Sequence, residues 1–495
     1  MPNDSTNVNI GGSIIGTYTV KPGGGGNFTT LAAAVASLTC GIVTGPVTFL
    51  VDPFTYNEQI TIPSTIVGVS ATNTITFDGG NGNAASVILT FATGSSASGL
   101  SHVLRFNNCN FVTFRNMTIR SSGASEAWTV HFMNGTNNRL NNCIVDMAGT
   151  GTTSTSSNYT AVVINGSTTS FGTSSVTANN HRIDSSTINF GYYGLYSAVN
   201  NGNLVNYFIN NTWNNAYQYG VIFQNPQTVK FNNNTINTRS TMTTAYGIQL
   251  SSVNPLGANF NEVNGNRILR TGQYGIYFVS TTGGPINQGQ CYNNSINGMT
   301  YTNSTVGIFV NSASNWNLYH NTVNHDIIST GGSSYGIQVQ NGSNNDVRNN
   351  MLSTTMPTTV GWTPLWISPS SAVSAVNGNN YWNPSSSNLV NIAGVNYTPA
   401  NFKANYPSGG GLTSLNNNPS YVSAFNVHVT NPCNNGVNLG VTSDVDGNSR
   451  GTTPDIGSDE MNTVPNNDFG VSIINSPNFP LASGSQSINV TLKNY

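Results

Sequence analysis

A chain of 495 residues with 6% charged side chains has little charge to work with, against roughly 25% in an ordinary soluble domain. Its net charge of −2 gives no electrostatic basis for binding nucleic acid or an anionic membrane, and no apolar run approaches the ~18 residues of a span. The 10% aromatic content and recurring β-branched pairs supply something to bury, which excludes disorder.

In chain order, residues 1–16 ("MPNDSTNVNIGGSIIG") form a loose leader without the basic start and apolar core of a signal peptide. The expectation is that such a segment has been removed or that the chain is a fragment. Residues 17–100 are expected to hold an N-terminal cap and the first coils. Within them "FTTLAAAVASL" (28–38) places apolar residues at 28, 31, 32, 35 and 38, the stripe of a short amphipathic helix. The regular repeat occupies 101–355, and 356–462 hold less regular coils and a closing segment. A linker at 463–467 leads to 468–495, which alternates like the start of a β-sandwich. A sandwich cut off there cannot bury its own core, so the natural protein is expected to continue.

The repeat is the strongest signal. "YGIYF" (274–278) returns as "YGVIF", "YGIQL" and "YGIQV", more loosely as "YGLYS" and "VGIFV". Its glycines, at 194, 220, 247, 275, 307 and 336, are 26, 27, 28, 32 and 29 residues apart. A second phrase follows each, as in "NNNTI" (232–236) and "YNNSI" (292–296). One strand cannot bury its apolar face alone, so such units must stack. The period is too short for a propeller blade, and no 3.6-residue pattern lies between the strands. A parallel β-solenoid with three short strands per coil remains. The Asn residues suit a left-handed corner and can bond one another along the stack. Asn210, Asn233 and Asn293 also open N-x-[ST] triplets, which chance supplies in so Asn-rich a chain. The five cysteines (40, 109, 143, 291, 433) exclude a dense disulfide framework and leave a single bridge open.

Over roughly residues 17–460 the chain resembles the right-handed parallel β-helix proteins of the pectin-lyase-like superfamily. "GTYTVKPGGGGNFTTLAAAVASL" with "GPVTFLVDPFTYNEQITIP" resembles the entry segment of pectinesterase-type β-helices, whose helix closes the open end of the solenoid. "LGVTSDVDGNSRGTTPDIGSDE" (439–460) is similar to the closing segment of large bacterial surface β-helix proteins, many exported by type IX secretion. The last residues resemble the first two strands of an Ig-like adhesive module. The resemblance implies an extracellular or cell-surface, bacterial setting. It does not extend to an active site. The pectinesterase D-F-[IV]-F-G phrase and the polygalacturonase set are missing, and residues 185–345 offer only Glu262 and Asp326 as carboxylates for a calcium-dependent lyase.

Three constellations remain. With Ile276 and Phe278 inward, alternation points Tyr196, Ile222, Gln249, Tyr277, Phe309 and Gln338 outward. Such an uncharged column is covered by loops such as 279–290, binds sugars, or contacts another domain or copy. Arg239, Arg270, His325 and Asp326 share one edge, where an imidazole poised by a carboxylate would resemble a metal-free polysaccharide lyase. Asp444, Asp446 and Asn448 offer alternating oxygens for Ca²⁺, the one cofactor considered, although the closing Glu of a full loop is absent. Arg450 with Asp455, Asp459 or Glu460 is expected to form an ion-pair lock at the solenoid's end. The reading favoured is a non-catalytic adhesive or glycan-binding stalk. Its alternatives are a polysaccharide lyase or glycoside hydrolase, and a self-assembling fibre.

Overall fold

A computed structural model describes residues 12–80, 82–328, 331–356, 361–405, 413–423, 425–430, 434–461, 469–476 and 487–494. The expected linker, Cys433 and most of the leader lie outside these residues. Three long parallel sheets run from residue 13 to about residue 397, two of 13 strands and one of 12, so that each turn supplies one strand to each sheet. The fold is an all-β parallel solenoid of about 13 turns, of the right-handed type. Sheet I runs from Ser13–Val20 to Val373–Asn377, and sheet II from Thr55–Asn57 to Asn380–Trp382. Sheet III runs from Ile60–Ile62 to Val390–Ile392, and closes with an antiparallel strand, Val395–Tyr397.

The repeated phrase is the sheet III strand. Ile248, Ile276, Ile308 and Ile337 lie opposite one another in consecutive turns and are fully buried, beside the column Leu250, Phe278, Val310 and Val339. The glycine before each isoleucine sits within the strand, not at a bend, and its φ is negative. Its role is close approach: a Cβ on Gly220, Gly247 or Gly275 would lie 2.5 Å from the carbonyl oxygen of the next glycine in the column.

The second phrase makes the corner between sheets I and II. Its second residue takes a left-handed backbone, with φ 58° at Asn210, 57° at Asn233, 55° at Asn293 and 56° at Asn349. The next residue turns inward as a ladder: Asn211, Asn234, Asn266, Asn294, Asn321, Asn350 and Asn379 are buried. Each backbone N–H, from Asn211 to Asn350, donates to the Oδ1 of the following Asn at 2.8–3.1 Å. Each side-chain amide donates to the same oxygen at 2.8–3.2 Å. The expected Asn stack exists, and it is internal.

Helix α1 (Leu31–Leu38) forms where the apolar stripe placed it. Thr30 accepts from the Ala33 N–H, and the Glu58 carboxylate accepts from the N–H groups of Leu31 and Ala32 at 3.1 and 2.7 Å, complementing the helix dipole. Its buried face is Leu31, Ala34, Val35 and Leu38; Ala32, expected inward, is exposed. No helix among the described residues is long and apolar enough to cross a membrane. Cys40, Cys109, Cys143 and Cys291 are free thiols. The less regular stretch after residue 355 also holds a helix, Pro399–Asn405. Strands Phe469–Ser476 and Asn489–Asn494 pair antiparallel as a two-stranded sheet.

Residues 434–461 do not close the far end of the solenoid. They lie as a strap along the left-handed corner, touching several turns. Asn349 donates to the Val437 carbonyl at 2.6 Å, Asn293 to the Ser443 carbonyl at 2.6 Å, and Arg267 pairs with Asp446. The strap's anchor is Arg450, whose guanidinium donates to Glu460 (2.7 Å), to the Asp455 and Gly457 carbonyls, and to Asn293 (3.0 Å). The expected lock therefore uses Glu460, and sits on the flank rather than at the end. Arg450→Met strands Glu460 and two carbonyls. Limited proteolysis should then cut within 434–461 at low protease, while far-UV circular dichroism keeps the solenoid signal.

Candidate functional site: an aromatic wall on sheet III

Register pairs Tyr196 with Ile222, Ile222 with Gln249, Gln249 with Tyr277, Tyr277 with Phe309 and Phe309 with Gln338. The expected column is thus one column on the outer face, and Trp366 extends it. Sequence reading missed a second column beside it. Tyr193, Tyr219, Tyr246 and Tyr274 open successive phrases, pair in register, and have ring centroids 5.2, 5.0 and 4.8 Å apart. Alternation counted back from Ile276 assigns Tyr274 inward. Gly275 and Ile276 are both buried, however, so the alternation slips by one and Tyr274 emerges beside Tyr277, 4.8 Å between centroids. The signal was in the phrase itself, as the Tyr that opens five of its six copies.

The two columns interlock. Phe309 stacks on Tyr277 at 5.1 Å and lies 5.5 Å from Tyr274, and is only 6% exposed. Tyr277, Gln249 and Gln338 are partly exposed, as are Tyr219, Tyr246 and Tyr274. Loop 279–290 does not cover these rings; its Asn287 and Gln288 bond the Ala258 and Asn344 carbonyls instead. Covering occurs elsewhere, where Phe171 stacks on Tyr196 at 4.1 Å and leaves it 6% exposed. Tyr196 is therefore core-like and Tyr277 is not. Burial, aided by neighbouring phenols, pushes the Tyr219 and Tyr274 hydroxyls up to about 12, so this wall is neutral across the physiological range.

The same outward column carries a basic row nearer the N-terminus, also missed, in "SHVLRF" and "WTVHFM". Arg105 pairs in register with His131, and His131 with Val163, one turn before Tyr196. Arg105 Nε donates to His131 Nδ1 at 3.0 Å. A guanidinium only donates, so His131 carries its proton on Nε2 and gives it to Asn165 Oδ1 at 2.8 Å. His102 meets Thr61 Oγ1 at 2.8 Å through Nε2. Burial, reinforced by the Arg105 charge, holds His131 down at about 3 and His102 at about 2, so both rings are neutral. Burial also lowers Arg105 to about 10, and no carboxylate pairs with it among the described residues.

The His325 constellation does not assemble. His325 is fully buried, its Nε2 lies 3.0 Å from Thr305 Oγ1, and burial holds its pKa down at about 4. Asp326 instead accepts from the Gly298 and Met299 N–H groups at 2.7 and 3.0 Å. Arg239 donates to the Asn215 and Ser154 carbonyls and lies 5.3 Å from the Tyr217 ring. Arg270 is exposed, with φ 56°. Arg239, His325 and Asp326 are each engaged in their own local structure, and Arg270 stands exposed, so the four do not converge. His325 and Asp326, adjacent at a strand end, point apart: His325 turns inward toward Thr305 and Asp326 toward the 298–299 backbone.

The calcium arrangement fails for a similar reason. Asp444 Oδ1 accepts from the N–H groups of Asp446 and Asn448 at 2.9 and 2.8 Å. Its Oδ2 accepts from Asn448 Nδ2 and Glu460 N at 3.0 and 2.9 Å. Asp444 is thus a turn-forming carboxylate with its oxygens engaged, and Asp446 points away to Arg267 and His428.

No family model matches the chain, and no curated protein matches it. Solved structures do. The chain is similar to the pectate lyase Pel9A at 16% identity, over 91% of this chain and 97% of that one, with a TM-score of 0.43. It is similar to a PL6-family alginate lyase, AlyGC, at 14% identity over 81% and 57%, with a TM-score of 0.45. The rice weevil pectin methyl esterase follows at 12%, over 64% and 80%, with a TM-score of 0.33. At such values the likeness extends no further than the fold.

Proposed function

We propose that this chain is a non-catalytic, glycan-binding β-solenoid, an extracellular or cell-surface part of a larger bacterial adhesive protein. On this reading α1 caps the first turn, and the C-terminal strands begin an Ig-like module. One observation carries the proposal: an uncharged, partly exposed stack of Tyr219, Tyr246, Tyr274 and Tyr277 along three consecutive turns. Rings spaced by the coil repeat of ~4.8 Å offer successive apolar faces to the C–H groups of an extended sugar chain. Gln249 and Gln338 supply amides for its hydroxyls. Screening on a glycan array should find uncharged polysaccharides preferred. A Tyr246→Ala, Tyr277→Ala double variant should bind the best of them about 5-fold or more weakly, near 1 kcal/mol, with little change in Tm. Equal affinity would remove the wall from the binding surface. Phe309 is no place for this test, because its ring is packed between two tyrosines.

A second reading, a polysaccharide lyase or glycoside hydrolase, draws on the His102, Arg105 and His131 row at the other end of the same column. Release of unsaturated or reducing ends from pectin, alginate or a neutral glucan, lost in Arg105→Lys, would establish it in place of the first.

A further inference from the structure

Three ligating side chains converge at the strap, away from the aromatic wall: Asp446 from the expected calcium turn and Asp459 from the expected lock meet His428, which belongs to neither grouping. His428 comes from strand Asn426–Val429, Asp446 from the 443–449 turn, and Asp459 from the "DIGSDE" run. His428 Nε2 lies 2.6 Å from Asp446 Oδ2 and 3.8 Å from Asp459 Oδ1, and the three ligand atoms fall within 4.8 Å of one another.

The tautomer of His428 makes this cluster unusual. Asn426 Oδ1 accepts from the His428 backbone N–H at 3.1 Å and also faces its Nδ1. An oxygen held by one N–H can only accept from the other, so Nδ1 carries a hydrogen. In the neutral ring, Nε2 then presents a lone pair to two carboxylates. Three electron-rich atoms face one another, and a cation must stand among them: a second ring proton or a metal ion. An imidazole whose Nδ1–H is fixed by an amide oxygen, leaving Nε2 free, is the usual posture of a metal-ligating histidine.

Two further observations favour the metal. Asp459 is 6% exposed; its Oδ2 accepts from the Val429 N–H at 3.0 Å, while Oδ1 faces the cluster with no hydrogen bond among the described residues. A cavity of about 240 Å³, lined by Arg267, Leu269, Phe425, Val445, His428 and Asp459, adjoins the ligand atoms and leaves room for a water as fourth ligand. Arg267 neutralises Asp446 from its other oxygen, Oδ1, leaving Oδ2 for the site.

We infer that His428, Asp446 and Asp459 form a divalent-metal site of the zinc type that pins strand Asn426–Val429 to two segments of the strap. One imidazole and two carboxylates suit a borderline ion such as Zn²⁺ better than Ca²⁺, which prefers six to eight oxygens. Because the ligands come from three segments, the ion stabilises the docked strap by mass action.

The test uses the untagged full chain, stripped with EDTA and titrated calorimetrically with ZnCl₂ and, separately, CaCl₂. The expected result is one Zn²⁺ per chain, at least 10-fold tighter than Ca²⁺, with the 434–461 segment becoming more resistant to limited proteolysis. His428→Ala and Asp459→Asn should each weaken zinc binding at least 10-fold. Should His428→Ala disturb the strap by itself, Asp459→Asn keeps the ring and its Asn426 bond intact. Co²⁺ substitution adds a spectroscopic readout, with visible d–d bands present in the parent and lost in Asp459→Asn. Absence of saturable zinc binding, unchanged binding in both variants, or tighter calcium binding would each overturn the inference. The first would leave a doubly protonated His428 as the cation between the carboxylates.

Discussion

Asn234→Ala should destabilise the solenoid by about 3–5 kcal/mol, while Asn233→Gly, one residue earlier, should change stability by no more than about 0.5 kcal/mol. The two residues read alike in the sequence. Asn234 is buried, and its Oδ1 accepts from the Asn211 N–H at 2.9 Å and the Asn211 side-chain amide at 3.1 Å. Its own amide donates to the Phe208 and Asn232 carbonyls at 2.9 and 3.0 Å and to Asn266 Oδ1 at 3.2 Å. Alanine keeps only the backbone N–H bond to Asn266. The Asn211 N–H and the Phe208 carbonyl are then left unpaired in a dry interior, each at about 1–3 kcal/mol. Asn233 is exposed and occupies φ 57°, a conformation glycine adopts freely. Asn233→Val should cost about 1–2 kcal/mol, because a β-branched residue resists that φ. Urea unfolding followed by circular dichroism measures all three. Equal losses at 233 and 234 would mean that the ladder bonds add nothing beyond the corner.

That pair also shows how far the sequence could be read. The period of the glycines located the turns, and the apolar pairs after them located the core, because both are repeated under the same steric demand in every coil. The Asn corner was legible for the same reason. Individual side chains outside the repeat were not. Alternation predicts facing only while the strand is regular, and it slips at each Gly–Ile step; this hid the Tyr193–Tyr219–Tyr246–Tyr274 column. His325 illustrates the converse, a polar residue at a strand end that turned inward toward Thr305. The His428, Asp446 and Asp459 cluster was beyond sequence reasoning, since its members meet only because the strap folds back along the corner. No periodic signal encodes that return.

Gly275→Ala should cost about 3 kcal/mol, although glycine to alanine within a strand is ordinarily favourable. The reason lies in what the phrase is for. A Cβ at 275 would stand 2.5 Å from the Gly307 carbonyl oxygen and 2.7 Å from Ile296 Cγ2. The first is backbone of the next turn, held in the sheet III ladder between Tyr274–Val279 and Val306–Asn311. It can move only by opening that ladder, and the carbonyl of Gly336 repeats the constraint one turn on, 2.6 Å from a Cβ at 307. Gly23→Ala is the control: that residue meets nothing within 4 Å and has no positive φ, so the change should be neutral or stabilising by up to about 1 kcal/mol. A second variant separates the two contacts. Adding Ile296→Ala to Gly275→Ala removes the side-chain overlap but not the carbonyl, so it should restore nothing and add its own cavity cost of about 2–5 kcal/mol. If the double variant is instead more stable than Gly275→Ala, the phrase keeps its glycine for side-chain packing, and the sheet III ladder can accommodate a methyl group.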